Sequence, residues 1–142
     1  MTTPLFAYGT LRNPLWRSTI LGADYPARRA TLYGWTAVAL ASGYLCAIPR
    51  SQSSLGGALI DLDDLGWRIA DAWEEVPRYR RTPVVVETRS GSVAAAIYVV
   101  PAITVGAPID GERFAALDDA RVAQAIAAFT PTMQALRAGR RF

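Results

Sequence analysis

With 142 residues, 51% of them apolar, and a net charge of +3, the chain has the size and composition of one globular domain and is too apolar to be disordered. All 15 basic residues are arginine, in short separated clusters (Arg28-Arg29, Arg78-Arg80-Arg81, Arg140-Arg141) rather than a dense patch, so no nucleic-acid partner is expected. The lack of histidine and lysine, with Cys46 the single cysteine, excludes a Ser-His-Asp triad, a Cys-His pair, a Schiff-base lysine, a P-loop, the usual zinc sites and an internal disulfide.

Met1-Thr2-Thr3-Pro4 has no basic region followed by an apolar one, and no apolar run reaches the roughly 18 residues of a membrane span. With one cysteine and no membrane partner, the expectation is a cytoplasmic protein. Leu5-Phe6-Ala7-Tyr8 reads as a short buried strand ended by Gly9-Thr10. Asn13-Pro14 marks a loop before a short helix. Arg29 to Leu40, rich in β-branched and aromatic residues, reads as a strand. Ser42-Gly43-Tyr44 is a loop, Leu45 to Ile48 a short strand ending at Pro49, and Arg50 to Leu55 a polar loop with three serines. Gly57 to Leu62 is the next strand.

Asp63-Asp64 supplies a helix N-cap, and the helix is expected from about Leu65 to about Val76, where Pro77 stops it. Leu65, Ile69, Trp73 and Val76 make its apolar stripe. Tyr79 to Thr88 and Val93 to Val100 read as strands joined by a hairpin turn at Arg89-Ser90-Gly91-Ser92. Pro101 to Gly111 is irregular. Phe114 to Arg137 is helical by period, and Thr130-Pro131 is expected to split it, with Thr130 capping a second helix. Many short strands, one mid-chain helix and a helical tail point to α+β, with a mostly antiparallel sheet curled toward a small barrel. Residues 1–142 read as a single domain, with a core at about 5–112 and a tail at about 113–142.

Three segments can carry chemistry. In Tyr8-Gly9-Thr10-Leu11-Arg12, a glycine after a buried strand admits a ligand close to the backbone, and turn N–H groups can cradle an anion; an ordinary strand-to-loop turn is the plain alternative. In Asp71-Ala72-Trp73-Glu74-Glu75-Val76-Pro77-Arg78-Tyr79, two glutamates close a helix beside tryptophan. A carboxylate against aromatic surface loses solvation, its pKa rises, and it can exchange a proton near neutrality. The plain alternative is a solvated helix end with an i,i+4 Glu74–Arg78 pair. Gly43-Tyr44 and Gly56-Gly57 either shape a pocket wall or are turn glycines. Without histidine, any proton shuttle must be a carboxylate, from eight Asp and four Glu, or a tyrosine.

Taken in order, these segments resemble the γ-glutamylcyclotransferase-like family, which includes AIG2-like proteins. Tyr8-Gly9-Thr10-Leu11 is similar to its opening Tyr-Gly-Ser/Thr-Leu. Ala70-Asp71-Ala72-Trp73-Glu74-Glu75, followed by Tyr79, Arg81 and Val84-Val85-Val86, is similar to its later signature. Gly43-Tyr44 before a proline, Gly57-Ala58-Leu59-Ile60 and Ala96-Ile97-Tyr98-Val99 also look alike. The resemblance spans roughly residues 5 to 112. It implies conversion of a γ-glutamyl amine or peptide to 5-oxoproline, with Glu74 as acid/base and no cofactor or metal. Tyr8, Gly9, Thr10, Leu11, Tyr44 and Tyr79 would bind the substrate. Glu75 stands where the family has glycine, and counting back from Tyr79 selects Glu75 instead of Glu74. Leu45 stands where the family often has proline. A small γ-glutamyl compound is the expected partner, for a monomer or homodimer. The other reading of the same pocket is a non-catalytic small-molecule binding protein.

Overall fold

Leu5–Ala7 forms strand β1 of a computed structural model that describes residues 3–39, 45–75, 79–100 and 119–139. A single 3₁₀ turn follows at Thr10–Arg12. Helix α1 (Pro14–Leu21) starts where the Asn13 side chain accepts hydrogen bonds from the N–H groups of Leu15 and Trp16. It ends at Gly22, whose φ of 72° takes the left-handed conformation suited to glycine. The strands β2 (Ala27–Ala39) and β3 (Leu45–Ile60) pair antiparallel along most of their length. Helix α2 (Asp64–Trp73) precedes the hairpin of β4 (Arg80–Thr88) and β5 (Gly91–Val99), and α3 (Asp119–Arg137) follows.

The five strands close into a barrel in the order β1-β3-β2-β4-β5. Every pairing is antiparallel except β1 with β5, where Leu5 meets Ala96 in parallel. The fold is therefore the curled, mostly antiparallel α+β architecture expected from the sequence. Side chains alternate across each strand. Phe6, Leu32, Leu59, Val86 and Ile97 fill the barrel interior. Leu5, Ile60 and Tyr98 face the other way, onto Ile20, Leu21, Trp67, Ile69, Val122 and Met133 of the three helices. β1 is buried on both faces, which explains an apolar run without alternation.

Three expectations need correction. The short strand, polar loop and second strand read over residues 45–62 are one strand, β3. Its register on β2 jumps between Tyr33–Ser54 and Trp35–Pro49, so Arg50 to Ser53 form an exposed irregularity within a continuous strand. α2 ends at Trp73, short of the expected Val76, and Glu74 is its C-cap; Val76 and Pro77 lie outside the described residues. Its buried stripe is also broader than expected, with Trp67 and Ala70 joining Ile69. Finally, α3 runs unbroken through Pro131. The Thr130 hydroxyl donates one turn back to the Ile126 carbonyl at 2.9 Å and does not cap a new helix. The packing of Ile126, Met133 and Leu136 on one face holds the helix together on both sides of the proline. The irregular reading of residues 101–111 lies outside the described residues. Among those described, no helix is long and apolar enough to cross a membrane.

Candidate active site

At one end of the barrel, the exit of β1, the last turn of α2 and the middle of α3 surround a cavity of about 400 Å³. This is the size of a small-molecule site. Of the residues picked from the sequence, Tyr8, Gly9, Thr10, Leu11, Glu74 and Tyr79 all line it. Tyr44, Gly43 and Arg78 lie outside the described residues.

One hydrogen-bonded link joins the glycine turn to the helix end across 63 residues of sequence, and a second holds that helix end on β4 and β5. The Trp73 indole N–H donates to Thr10 Oγ1 at 2.8 Å, joining the end of α2 directly to the turn. One residue on, Glu74 closes the helix, its backbone N–H donating to the Ala70 carbonyl at 2.9 Å. The second link comes from Asp71, one turn before. Its carboxylate accepts from Arg81 Nε at 2.8 Å, from Arg81 Nη2, and from the Tyr98 hydroxyl at 2.5 Å. Arg81 in turn lies 4.2 Å above the Trp67 ring. The helix end is thus fixed to β4, β5 and the turn.

Glu74 is partly accessible through the cavity it lines, yet protein encloses it. Loss of hydration, reinforced by the neighbouring Glu75 charge, pushes its pKa from 4.5 up to about 8. A helix C-terminus acts in the same direction, because its partial negative charge disfavours an anion. Glu75 is exposed and has a φ of 56°, a left-handed conformation that favours glycine.

The tyrosines are committed to the scaffold through their hydroxyls while their rings line the cavity. Tyr8 donates to the Tyr98 carbonyl at 2.7 Å and accepts from the Ala47 N–H at 3.0 Å. Burial, above all, raises its pKa. Tyr79 donates to the Leu45 carbonyl at 3.0 Å. Tyr98 is also held far toward its neutral form, first by burial and then by its bond to Asp71. The Thr10 hydroxyl accepts from Trp73 and retains its own proton to donate. A Cβ built on Gly9 would meet nothing within 4 Å, so packing does not force a glycine there and the backbone borders open space.

Both readings of Gly56-Gly57, as pocket wall and as turn glycines, are corrected. Both lie within β3, and a Cβ on Gly57 would come 2.5 Å from the Ala7 carbonyl and 2.8 Å from the Phe6 ring. Gly57 is there for close strand packing. Cys46 is fully buried, as its apolar surroundings suggested. Among the described residues, no group of three or more His, Cys, Asp or Glu could hold a metal ion.

A sequence model described as γ-glutamyl cyclotransferase, AIG2-like, matches residues 5–119. The chain belongs to this family. Among solved structures, an Arabidopsis thaliana protein is 24% identical with a TM-score of 0.66, the match covering 93% of this chain and 79% of that one. A mouse AIG2-like protein is 18% identical with a TM-score of 0.58, covering 79% and 88%. A γ-glutamyl cyclotransferase is 13% identical with a TM-score of 0.61, covering 96% and 86%. These likenesses concern the fold. No curated protein matches the sequence significantly.

In this γ-glutamyl cyclotransferase-like chain, the positive φ at Glu75 gives a conformational reason for the glycine at that place in the family pattern. Sequence reasoning did not assign four contributors to the cavity: Trp73, Tyr98, Leu45 and the α3 face bearing Ala125, Ala128, Phe129 and Thr132. Trp73 beside Glu74 was a usable signal, since it was already the reason to expect desolvation. The α3 residues gave none, because the recognised pattern stops before the tail.

Proposed function

We propose that the protein cyclises the γ-glutamyl group of a γ-glutamyl amine or peptide to 5-oxoproline, releasing the amine. The observation that carries this reading is the placement of Glu74, a desolvated carboxyl with a pKa of about 8, on the same cavity as the Gly9–Leu11 turn.

The substrate's own α-amino nitrogen attacks its γ-carbonyl carbon, a five-membered ring closes, and the bond from that carbon to the leaving nitrogen breaks. No nucleophile is needed from the protein, in keeping with a chain that has no histidine or lysine. The cavity must fold the substrate so that nitrogen and carbonyl meet. Glu74, as carboxylate, takes a proton from the attacking nitrogen and returns it to the leaving one. The first N–H groups of a helical turn have no partner within the turn, so those at Gly9–Leu11 are suited to the substrate's α-carboxylate or the developing oxyanion. The Thr10 hydroxyl can add a donor to the same end.

Glu74→Gln is expected to lower release of 5-oxoproline from γ-glutamyl substrates by about 10²–10⁴-fold, the usual contribution of a positioned acid/base. The variant should remain folded, by circular dichroism. Full activity in it would remove Glu74 from this role. If γ-glutamyl compounds raise the melting temperature and no 5-oxoproline forms, the pocket belongs to a binding protein instead.

A further inference from the structure

We propose that the protein carries a second small-molecule site, between α2 and the β4–β5 hairpin, that takes a free α-amino acid. This site is independent of the cyclisation chemistry. A cavity of about 530 Å³ opens where the first turns of α2 lie beside β4 and β5. Among the described residues it shares no lining member with the cavity lined by Glu74. One carboxylate stands between the two. Asp71 binds Arg81, which lines the second cavity, and Tyr98, which lines the first.

Three charged side chains define the ligand. Asp64 and Arg68 are four residues apart on α2, with Trp67 on the same face. Arg81 reaches the same cavity from β4. Its guanidinium is held before any ligand arrives. Nε and Nη2 donate to Asp71, and the guanidinium carbon lies 4.2 Å from the centre of the Trp67 ring. A guanidinium has five N–H groups, so three remain on a side chain that is still 43% exposed. A donor fixed in this way loses little conformational entropy when it binds an anion. The two arginines suit a carboxylate, and Asp64 suits an ammonium group. A dianion would be repelled by Asp64, and a simple cation by both arginines. The lining therefore favours a compound with one charge of each sign close together. An α-amino acid carries both on a single carbon, and its side chain would rest on Pro83 and Ala96, which pair across β4 and β5.

The test measures binding to the full chain by titration calorimetry. The probe is L-leucine, beside two half-ligands: isopentylamine, which lacks the carboxylate, and 4-methylpentanoate, which lacks the ammonium group. L-Leucine is expected to bind with a Kd on the order of millimolar, about fivefold or more tighter than either half-ligand. Arg68→Gln and, separately, Asp64→Asn change exposed side chains and should leave the fold intact by circular dichroism. Each should weaken L-leucine about fivefold, and Asp64→Asn should not weaken 4-methylpentanoate. Glu74→Gln, in the other cavity, should leave the Kd for L-leucine unchanged. A lack of L-leucine binding overturns the proposal, and so does binding that neither α2 variant weakens or that Glu74→Gln abolishes. Equal affinity for L-leucine and 4-methylpentanoate overturns the amino-acid assignment in favour of a bare anion site.

Discussion

Glu74 links stability to pH with a definite sign. Its pKa rises from 4.5 to about 8 on folding, so between those values the native protein binds more protons than the unfolded chain. The contribution is therefore fully present below about pH 4.5 and is lost as pH rises toward 8, at about 1.4 kcal/mol per pH unit within that window. Glu74→Gln removes the titration. The variant is expected to match the unmodified protein at pH 4 and to be more stable at pH 8.5, which urea denaturation at both values would measure. Equal stability at both would mean that the carboxyl is well hydrated. Under the proposed reaction the same titration acts on turnover in the opposite direction, because the proposed base is the carboxylate. At pH 7 about a tenth of Glu74 is ionised, so turnover is expected to rise with pH until about 8. A substitution that stabilises the protein while lowering turnover would be the behaviour of a group kept for chemistry.

At the scale of the element, the end of α2 carries a second departure from what stability alone would choose. Glu75 sits at a φ of 56°, where an L side chain costs roughly 1–2 kcal/mol relative to the right-handed region and glycine does not. Glu75→Gly is expected to stabilise the protein by about 1 kcal/mol. Removing the like charge beside Glu74 should also move the alkaline rise in turnover below pH 8. Denaturation together with a pH–rate profile checks both parts, and a profile left in place would show that burial alone sets the Glu74 pKa. The elements that are legible in the sequence are those whose cause is local. Asp63 caps α2 by accepting from the Gly66 N–H at 2.7 Å, and the Gly91 turn joins β4 to β5. The reading failed where tertiary pairing overrides local signals. Arg50 to Ser53 look like a loop because they are polar, yet the flanking residues pair with β2 and carry them along as part of β3. Pro131 looks like a break, yet packing on both sides keeps α3 whole. Within the site, the turn and the glutamate were legible as motifs. The contact that joins them, Trp73 to Thr10, was not, because nothing in the sequence says which side chains meet across 63 residues.

At the scale of the whole molecule, closing the barrel and orienting the end of α2 that carries Glu74 are one problem, joined at Tyr98. β1 and β5 share a single pair in register, Leu5 with Ala96, supported by the Ala96 N–H donating to the Pro4 carbonyl at 3.0 Å. So short a junction needs side-chain support, and Tyr8 provides it by donating to the Tyr98 carbonyl on β5 while accepting from the Ala47 N–H on β3. The Tyr98 phenol then holds Asp71 on α2, one turn before Glu74. A disturbance at Tyr8 should thus reach the helix through β5. Tyr8→Phe keeps the ring and leaves the buried Ala47 N–H without its acceptor, which is expected to cost about 1–3 kcal/mol. Because the ring still lines the cavity, KM should change little, and any fall in kcat should stay well below that of Glu74→Gln. Denaturation midpoints and steady-state kinetics on the same preparation separate the two effects. An unchanged midpoint would mean that the strands close without this tyrosine, whereas a large rise in KM at normal stability would mean that its hydroxyl serves the substrate rather than the barrel.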